Sequence, residues 1–451
     1  MKFTLSTSPL PLRLLLVPLL ASSLVLAGCS SSDDGDTMTG DNTATDGSEG
    51  TDTGTDGTDT GDGTDTTDGS DGSDTEGDGS EGSESGDADG KVIITTVASD
   101  FSSSALEIHN ATDPREGVTG LNPGVSDTIV RSYEDKYFVI RRFESDSIAA
   151  HSIDNPSSII FESSTNDGSD TRSGNPNDLV FVNGEKAYLL RYGSPIVWIV
   201  NPSAASAAEF KIGEIDLGAY DTVDGIPEAV AGVVVDEKLF VLMQRQERIP
   251  QDGGFENFVP NQSGYVAVID TATDSEIDTG SDGDLKGFEL PAINPIDISL
   301  DPVTGSIFVA AAGDYGAFDG SRPSALTGGL VTVDTEDYSA AQLIDDTDDT
   351  GRITAVEVID ANIAYMITET SFNNATLVKF NPGTGVIDTT GVGGYSDVDL
   401  RDIAMGPAGN LWVAIGSTEN PQVVVLNPAD DSVVGTEIST SLTPTGIAFA
   451  R

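Results

Sequence analysis

Seven short runs constrain this chain more than any other feature. They span 106–110, 149–154, 197–201, 266–270, 331–334, 377–381 and 423–427, and in each apolar residues alternate or cluster before a polar end. The ends are Asn110, Asp154, Asn201, Asp270, Asp334, Asn381 and Asn427, most with Pro or Thr next. A half-buried strand that closes on a polar turn and returns at such intervals is what one small sheet per repeat produces. Around these runs lie others of strand character. In the fifth repeat 295–300 alternates, Asp301-Pro302-Val303-Thr304-Gly305 turns, and 307–311 answers; 330–333 and 341–344 read as third and fourth strands. The seventh begins alike, with 403–405, a Gly406-Pro407-Ala408-Gly409-Asn410 turn and 411–415. Asn183-Gly184 joins 179–181 to 187–190 in the third. Such turns supply the positive or preset φ that hairpins need.

Four antiparallel strands per repeat, arranged radially, make an all-β, seven-bladed β-propeller over 91–451. The ends of that segment agree. Residues 444–449 read as a first strand with nothing after it, and 92–97 as a second strand with no first before it. Joined, they complete blade one and close the ring. A β-sandwich array is the alternative, and it leaves the regular returns and the split repeat unexplained. Pro295, Asp297 and Ile298 opening a first strand, the turn before Ile307-Phe308-Val309-Ala310, and the Val-x-Val-(Ile/Leu)-(Asp/Asn)-(Thr/Pro) third strand resemble the YVTN/NHL-type propeller repeat. The resemblance weakens in blades one and two. It implies the fold and leaves the function open, because such propellers serve as binding modules, scaffolds and lactone-hydrolysing enzymes.

Lys2 and Arg13 precede an apolar run, 14–26, and then Ala27, Gly28 and Cys29. This is the layout of a secretory signal, 1–28, too short to be a bilayer-spanning helix. Leu26-Ala27-Gly28-Cys29 resembles the bacterial lipoprotein signature, which implies acylation of Cys29, the only cysteine in the chain. Ser30 in place of an acidic retention signal implies the outer membrane, so the expected location is the cell envelope, on its periplasmic or external side. Residues 29–90 hold 20 of the 75 acidic residues and no Lys, Arg, aromatic or Pro. Without apolar surface to offset ordering entropy, such a segment is expected to be a disordered tether. Asp71-Gly72-Ser73-Asp74 loosely follows calcium-loop spacing but lacks the closing Glu and flanking helices.

The formal charge of −54 argues against nucleic acid as a partner, since phosphate binding needs clustered Lys and Arg. One Cys excludes intrachain disulfides. Two histidines, His109 and His151, leave little for a triad or His-based metal site, and they are expected at non-equivalent places on third strands. No phosphate-binding glycine loop, serine elbow or zinc spacing is present. The state expected is a monomer.

Function is expected on the face that carries the second-to-third-strand and blade-to-blade connections. It receives the long insertions 245–263, 278–293 and 313–328, whereas the opposite turns read as uniformly tight. Ten of the twelve arginines beyond the signal are assigned there: Arg115, Arg141, Arg142, Arg172, Arg191, Arg245, Arg248, Arg322, Arg352 and Arg401. With Phe143, Tyr192, Phe255, Phe258, Tyr315 and Phe318 they offer either hot-spot composition for a protein or polysaccharide, or internal ion pairs and loop packing. The binding set is Arg141, Arg142, Arg191, Arg245, Arg248, Phe255, Phe258, Tyr315, Phe318 and Arg322. Asp178, Asp297 and Asp402 recur at the start of first strands, where they either hold a cation such as Ca2+ or hydrogen-bond the adjacent blade. A channel cation would support the other functional reading, a metal-dependent lactonase-type hydrolase. A gluconolactonase-like site also needs a Glu that the sequence does not place, and a quinoprotein needs a Trp in each blade, against two in all.

Overall fold

The computed structural model describes residues 90–450 apart from 169, 171, 251–255, 281–283, 318–319, 372, 390 and 418. The signal, Cys29, the tether, Phe255 and Phe318 lie outside the described residues. The rest is almost wholly β, and no described helix is long and apolar enough to cross a membrane.

The strands form seven antiparallel sheets around an axis. From the axis outward, blade one is Thr443–Ala450, Lys91–Val97, Ser104–Asn110 and Gly117–Leu121. Blade two is Thr128–Tyr133, Lys136–Arg141, Ser147–Ser152 and Ile159–Ser164; blade three is Pro176–Asn183, Lys186–Arg191, Ile196–Val200 and Lys211–Asp216. Blade four begins Ala229–Val235, Lys238–Met243 and Ser263–Asp270. Blade five is Pro295–Leu300, Ile307–Ala311, Gly329–Asp334 and Ser339–Ile344. Blade six is Arg352–Asp360, Ile363–Ser371 and Asn374–Phe380, with bridges Phe380–Ile387 and Ala375–Val398 at its outer edge. Blade seven is Leu400–Met405, Leu411–Ile415, Gln422–Leu426 and Ile438–Ser439. Each inner strand touches the next, and the seventh touches the first, so the ring closes. The C-terminal strand closes it by pairing with Lys91–Val97, Ile447 opposite Ile94.

The core is divided in the same way. Seven apolar clusters fill the seven gaps between neighbouring blades. On the second strand of blade four, Leu239, Val241 and Met243 pack towards blade three, while Phe240 and Leu242 pack towards blade five. Successive side chains leave opposite faces of a strand, and both faces are covered. The repeating strands are therefore buried on both sides rather than half-buried.

Two expectations about the connections change. Within 278–293, Phe288–Ile293 is no loop. It pairs with Ser263–Val266 and, together with Ser275–Glu276, forms the outer edge of blade four. The opposite turns are not uniformly tight either. In blade three 201–210 holds a helical turn, Ala207–Phe210, whose Phe210 is fully buried against Phe161 at 5.1 Å between centroids.

Candidate functional site

Two insertions dominate the loop face. Between the second and third strands of blade four, Glu247–Pro250 pairs with Glu256–Val259 in a hairpin of its own. In blade five, 312–328 folds back through an Asp314–Ala325 bridge. Arginines fasten both. Arg248 Nε donates to Glu228 at 3.0 Å, and its guanidinium lies 5.1 Å over Phe258 and 5.8 Å over Tyr192. Arg352 donates to the carbonyls of Ala312 (2.6 Å) and Asp314 (2.8 Å) and covers Tyr315 at 4.8 Å. Arg322 pairs with Asp314.

The remaining arginines on this face are engaged as well. Arg191 is fully buried, with all three guanidinium nitrogens donating, to Thr165 O, Ser194 Oγ, Ile196 O and Asp170, and it stacks on Trp198 at 4.6 Å. Arg141 reaches Glu162 at 2.8 Å, and Arg142 reaches Asp127 at 2.6 Å. Arg245 holds Tyr220 O at 2.8 Å and Gln262 at 3.0 Å and stacks on Tyr265. Arg401 pairs with Asp399 at 2.5 Å, and Arg172 stands 3.9 Å from Asp224. Internal pairing and stacking, one of the two roles open to these residues, thus describes their geometry. Arg115 is a correction. It follows the third strand of blade one, so it lies on the opposite face, where it donates to Val434 O at 3.0 Å and Thr436 O and covers Trp412.

Under the hairpin lies a polar network that the sequence does not single out. Glu228 is fully buried at φ +50° and accepts Gln246 N–H at 2.8 Å as well as Arg248. Burial pushes its carboxyl up, against the pull of the Arg248 guanidinium. Gln246 bonds Gln244 (2.7 Å) and Asn294 (2.9 Å), and Tyr192 Oη donates to Gln244 at 2.8 Å. Asn175, Glu228 and Asn294 each precede an inner strand, and all have positive φ, which side chains seldom adopt. Their carbonyls accept the N–H of Tyr192, Gln244 and Ala312, closing the top of the first strand pair in three successive blades.

With its arginines paired or stacked, the loop face offers three exposed large apolar side chains among the described residues: Val223 at 57%, Ile249 at 39% and Leu326 at 36% exposure. They stand among hydrogen-bonding loop groups.

Beneath this face the inner strands line the channel. Asp178, Asp297 and Asp402 occupy equivalent places, and each reaches across a seam. Asp178 accepts Gly232 N–H at 3.0 Å, Asp297 accepts Val356 N–H at 2.9 Å, and Asp402 accepts Ile447 N–H at 2.7 Å. A Cβ at Gly232 would meet Val180 at 3.0 Å and Phe240 O at 3.1 Å, so glycine permits that approach. Two further groups were missed by sequence reading. Arg131 Nε donates to Asp178 at 2.7 Å; protein surrounds it, yet its side chain is 41% exposed because it faces the lumen. Glu357 leaves its strand on the side of Ala355, towards blade seven, near Met405 N–H and Ser299. Burial raises Asp297 to about 6; burial and then Asp297 raise Asp402 to about 7; burial, Asp297 and Asp402 raise Glu357 to about 8. Among the described residues no three His, Cys, Asp or Glu side chains come together as metal ligands. One oxygen of each aspartate already accepts a backbone N–H group, and Asp178 also pairs with Arg131. This donor set does not fit Ca2+.

The histidines are ordinary strand residues in equivalent, not different, positions. Both are penultimate on a third strand, opposite the second residue of the strand before it. Each Nδ1 meets a carbonyl of its own turn, Arg115 O at 3.0 Å and Pro156 O at 3.1 Å. Burial works to lower His109, but the Glu107 carboxylate 3.2 Å away raises it overall.

A seven-bladed propeller closed by its C-terminal strand, with braced loops on one face and an acidic channel, is the class these features define. No protein-family model matches the chain, and no curated protein does. Solved structures are similar to it in fold. The periplasmic gluconolactonase of Pseudomonas aeruginosa is 14% identical with a TM-score of 0.51, over 80% of this chain and 99% of that one. A Bacteroides uniformis protein described as a candidate 6-phosphogluconolactonase gives the same figures. Another so described, from Bacteroides fragilis, is 13% identical with a TM-score of 0.50, over 82% of this chain and all of that one. At such identity the likeness concerns the fold.

Proposed function

We propose that this chain is a lipid-anchored propeller of the cell envelope that binds a protein or polysaccharide through its loop face. One observation carries the reading. The two largest excursions from the ring stand on the same face, and arginine–carboxylate and arginine–aromatic contacts fix both from beneath. Loops held before a ligand arrives lose less entropy on binding it. Val223, Ile249 and Leu326 give that face apolar contacts that its internally paired charges do not. The envelope location rests on the signal-like N-terminus ending at Cys29 and accords with a periplasmic relative in fold.

The test is a comparison of faces. A photo-crosslinking residue placed at Leu326 in intact cells should give defined adducts, and one at Val303, exposed on an opposite turn, should give none. Equal labelling from both faces, or none from Leu326, would sink the reading. A metal-dependent lactonase using a channel cation draws no support from carboxylates committed to backbone N–H groups. Hydrolysis of glucono-1,5-lactone that a chelator abolishes would reverse the order of the two.

A further inference from the structure

Four carboxyls and one guanidinium share the axial channel: Asp178, Asp297, Glu357 and Asp402 against Arg131. The inner strands of blades one and four, Thr443–Ala450 and Ala229–Val235, carry no titratable side chain. The other titratable groups on inner strands are occupied elsewhere. Tyr133 stacks on Phe181, Arg352 braces the blade-five loop, Asp360 accepts N–H groups of its own turn, and Arg401 pairs with Asp399. Arg131 is therefore the only basic side chain facing the lumen among the described inner-strand residues. Fully ionised, the channel would carry three uncompensated negative charges. Like charges gathered around one lumen repel one another, and protonation relieves that cost.

We propose that the axial channel is a proton-binding site, in which Asp297, Glu357 and Asp402 take up protons as the surroundings acidify and so stabilise the closed ring. The three carboxyls sit on the seams themselves, between blades five and six, six and seven, and seven and one. The last is where the C-terminal strand closes the circle. A protonated carboxyl still accepts the backbone N–H across the seam, so proton uptake removes repulsion and keeps the bridge. This reading is independent of what the loop face binds.

The sign follows from linkage. Carboxyls raised above their unfolded values make the folded ring bind more protons than the unfolded chain, so stability falls as pH rises through the window between the two. In the full chain, thermal unfolding from about pH 5.5 to about pH 9 should show the midpoint dropping by a few degrees. His109, Glu228, Asp346, Glu369 and Asp399 are raised as well and contribute with the same sign, so the slope is compared with that of a Glu357→Gln/Asp402→Asn variant. The variant should have a shallower slope and a higher midpoint than the wild type at the alkaline end. Parallel curves overturn the proposal. Should the variant not fold, infrared difference spectra of the wild type with 13C-labelled aspartate decide. A protonated-carboxyl band at neutral pH that vanishes by about pH 9 while the ring stays folded supports it, and absence of that band overturns it.

Discussion

Arg248 shows what a side chain chosen from sequence as a binding group does in the folded chain. Its guanidinium meets a carboxylate with no solvent exposure and two aromatic rings, so removing it strands a buried charge and unstacks the hairpin. Breaking such a pair from one side costs about 3–5 kcal/mol, because the remaining ion keeps its desolvation penalty. Arg248→Ala should therefore lower the unfolding free energy from denaturant titration by that order. Arg322→Ala, at a partly exposed pair, should cost about 1 kcal/mol or less. An Arg248→Met/Glu228→Leu pair should recover most of the loss, since packing then replaces a desolvated ion pair. A small effect of Arg248→Ala would mean that the hairpin does not depend on this brace. The sequence could show that arginines and aromatics gather on one face. It could not show their partners, because Glu228 lies twenty residues away on another element and reads as a lone acid before an apolar run.

The blades were legible because each third strand ends on a polar turn, as at Val423–Asn427, and because the split repeat at the two ends left one strand unpaired. Inner strands were less so. Alternate residues of an inner strand reach towards the next blade, and beside the axis they do so whatever their chemistry, so Arg131 and Glu357 read as interruptions until the ring brings them near the axial aspartates. Blade six likewise hides its outer edge, which is made by bridges at Ile387 and Val398 rather than by a strand. Ring closure is the element-scale feature with the sharpest consequence. Thr443–Ala450 is the only inner strand separated from its partner by the length of the domain, and it covers one edge of Lys91–Val97 along seven paired positions. A chain ending at Leu442 would leave that strand edge open and expose Val92 and Ile94, both fully buried in the intact ring. Its unfolding should lose cooperativity and the chain should associate at low concentration, measured by calorimetry and sedimentation. A truncated chain that unfolds as sharply as the intact one would show that the ring does not need this strand.

At the scale of the whole molecule, two parts of opposite character share one chain. Residues 29–90 hold no aromatic, Pro, Lys or Arg, and both parts bear net negative charge. Anchoring and folding should then be separable. One acyl chain gives only marginal membrane binding, whereas the more extensive lipidation that the Leu26-Ala27-Gly28-Cys29 signature implies would hold the chain firmly. Cys29→Ser should move the protein from the membrane fraction to the soluble envelope fraction and leave the propeller's unfolding midpoint where it was. Adducts formed at Leu326 should persist in the released chain if the partner is soluble or spans the envelope, and should vanish if the partner is reached only at the membrane surface. If Cys29→Ser leaves the chain in the membrane fraction, Cys29 is not the anchor, and a surface of the propeller itself must make the attachment. The exposed apolar residues at the loop face, Ile249 and Leu326, would then be the first positions to charge.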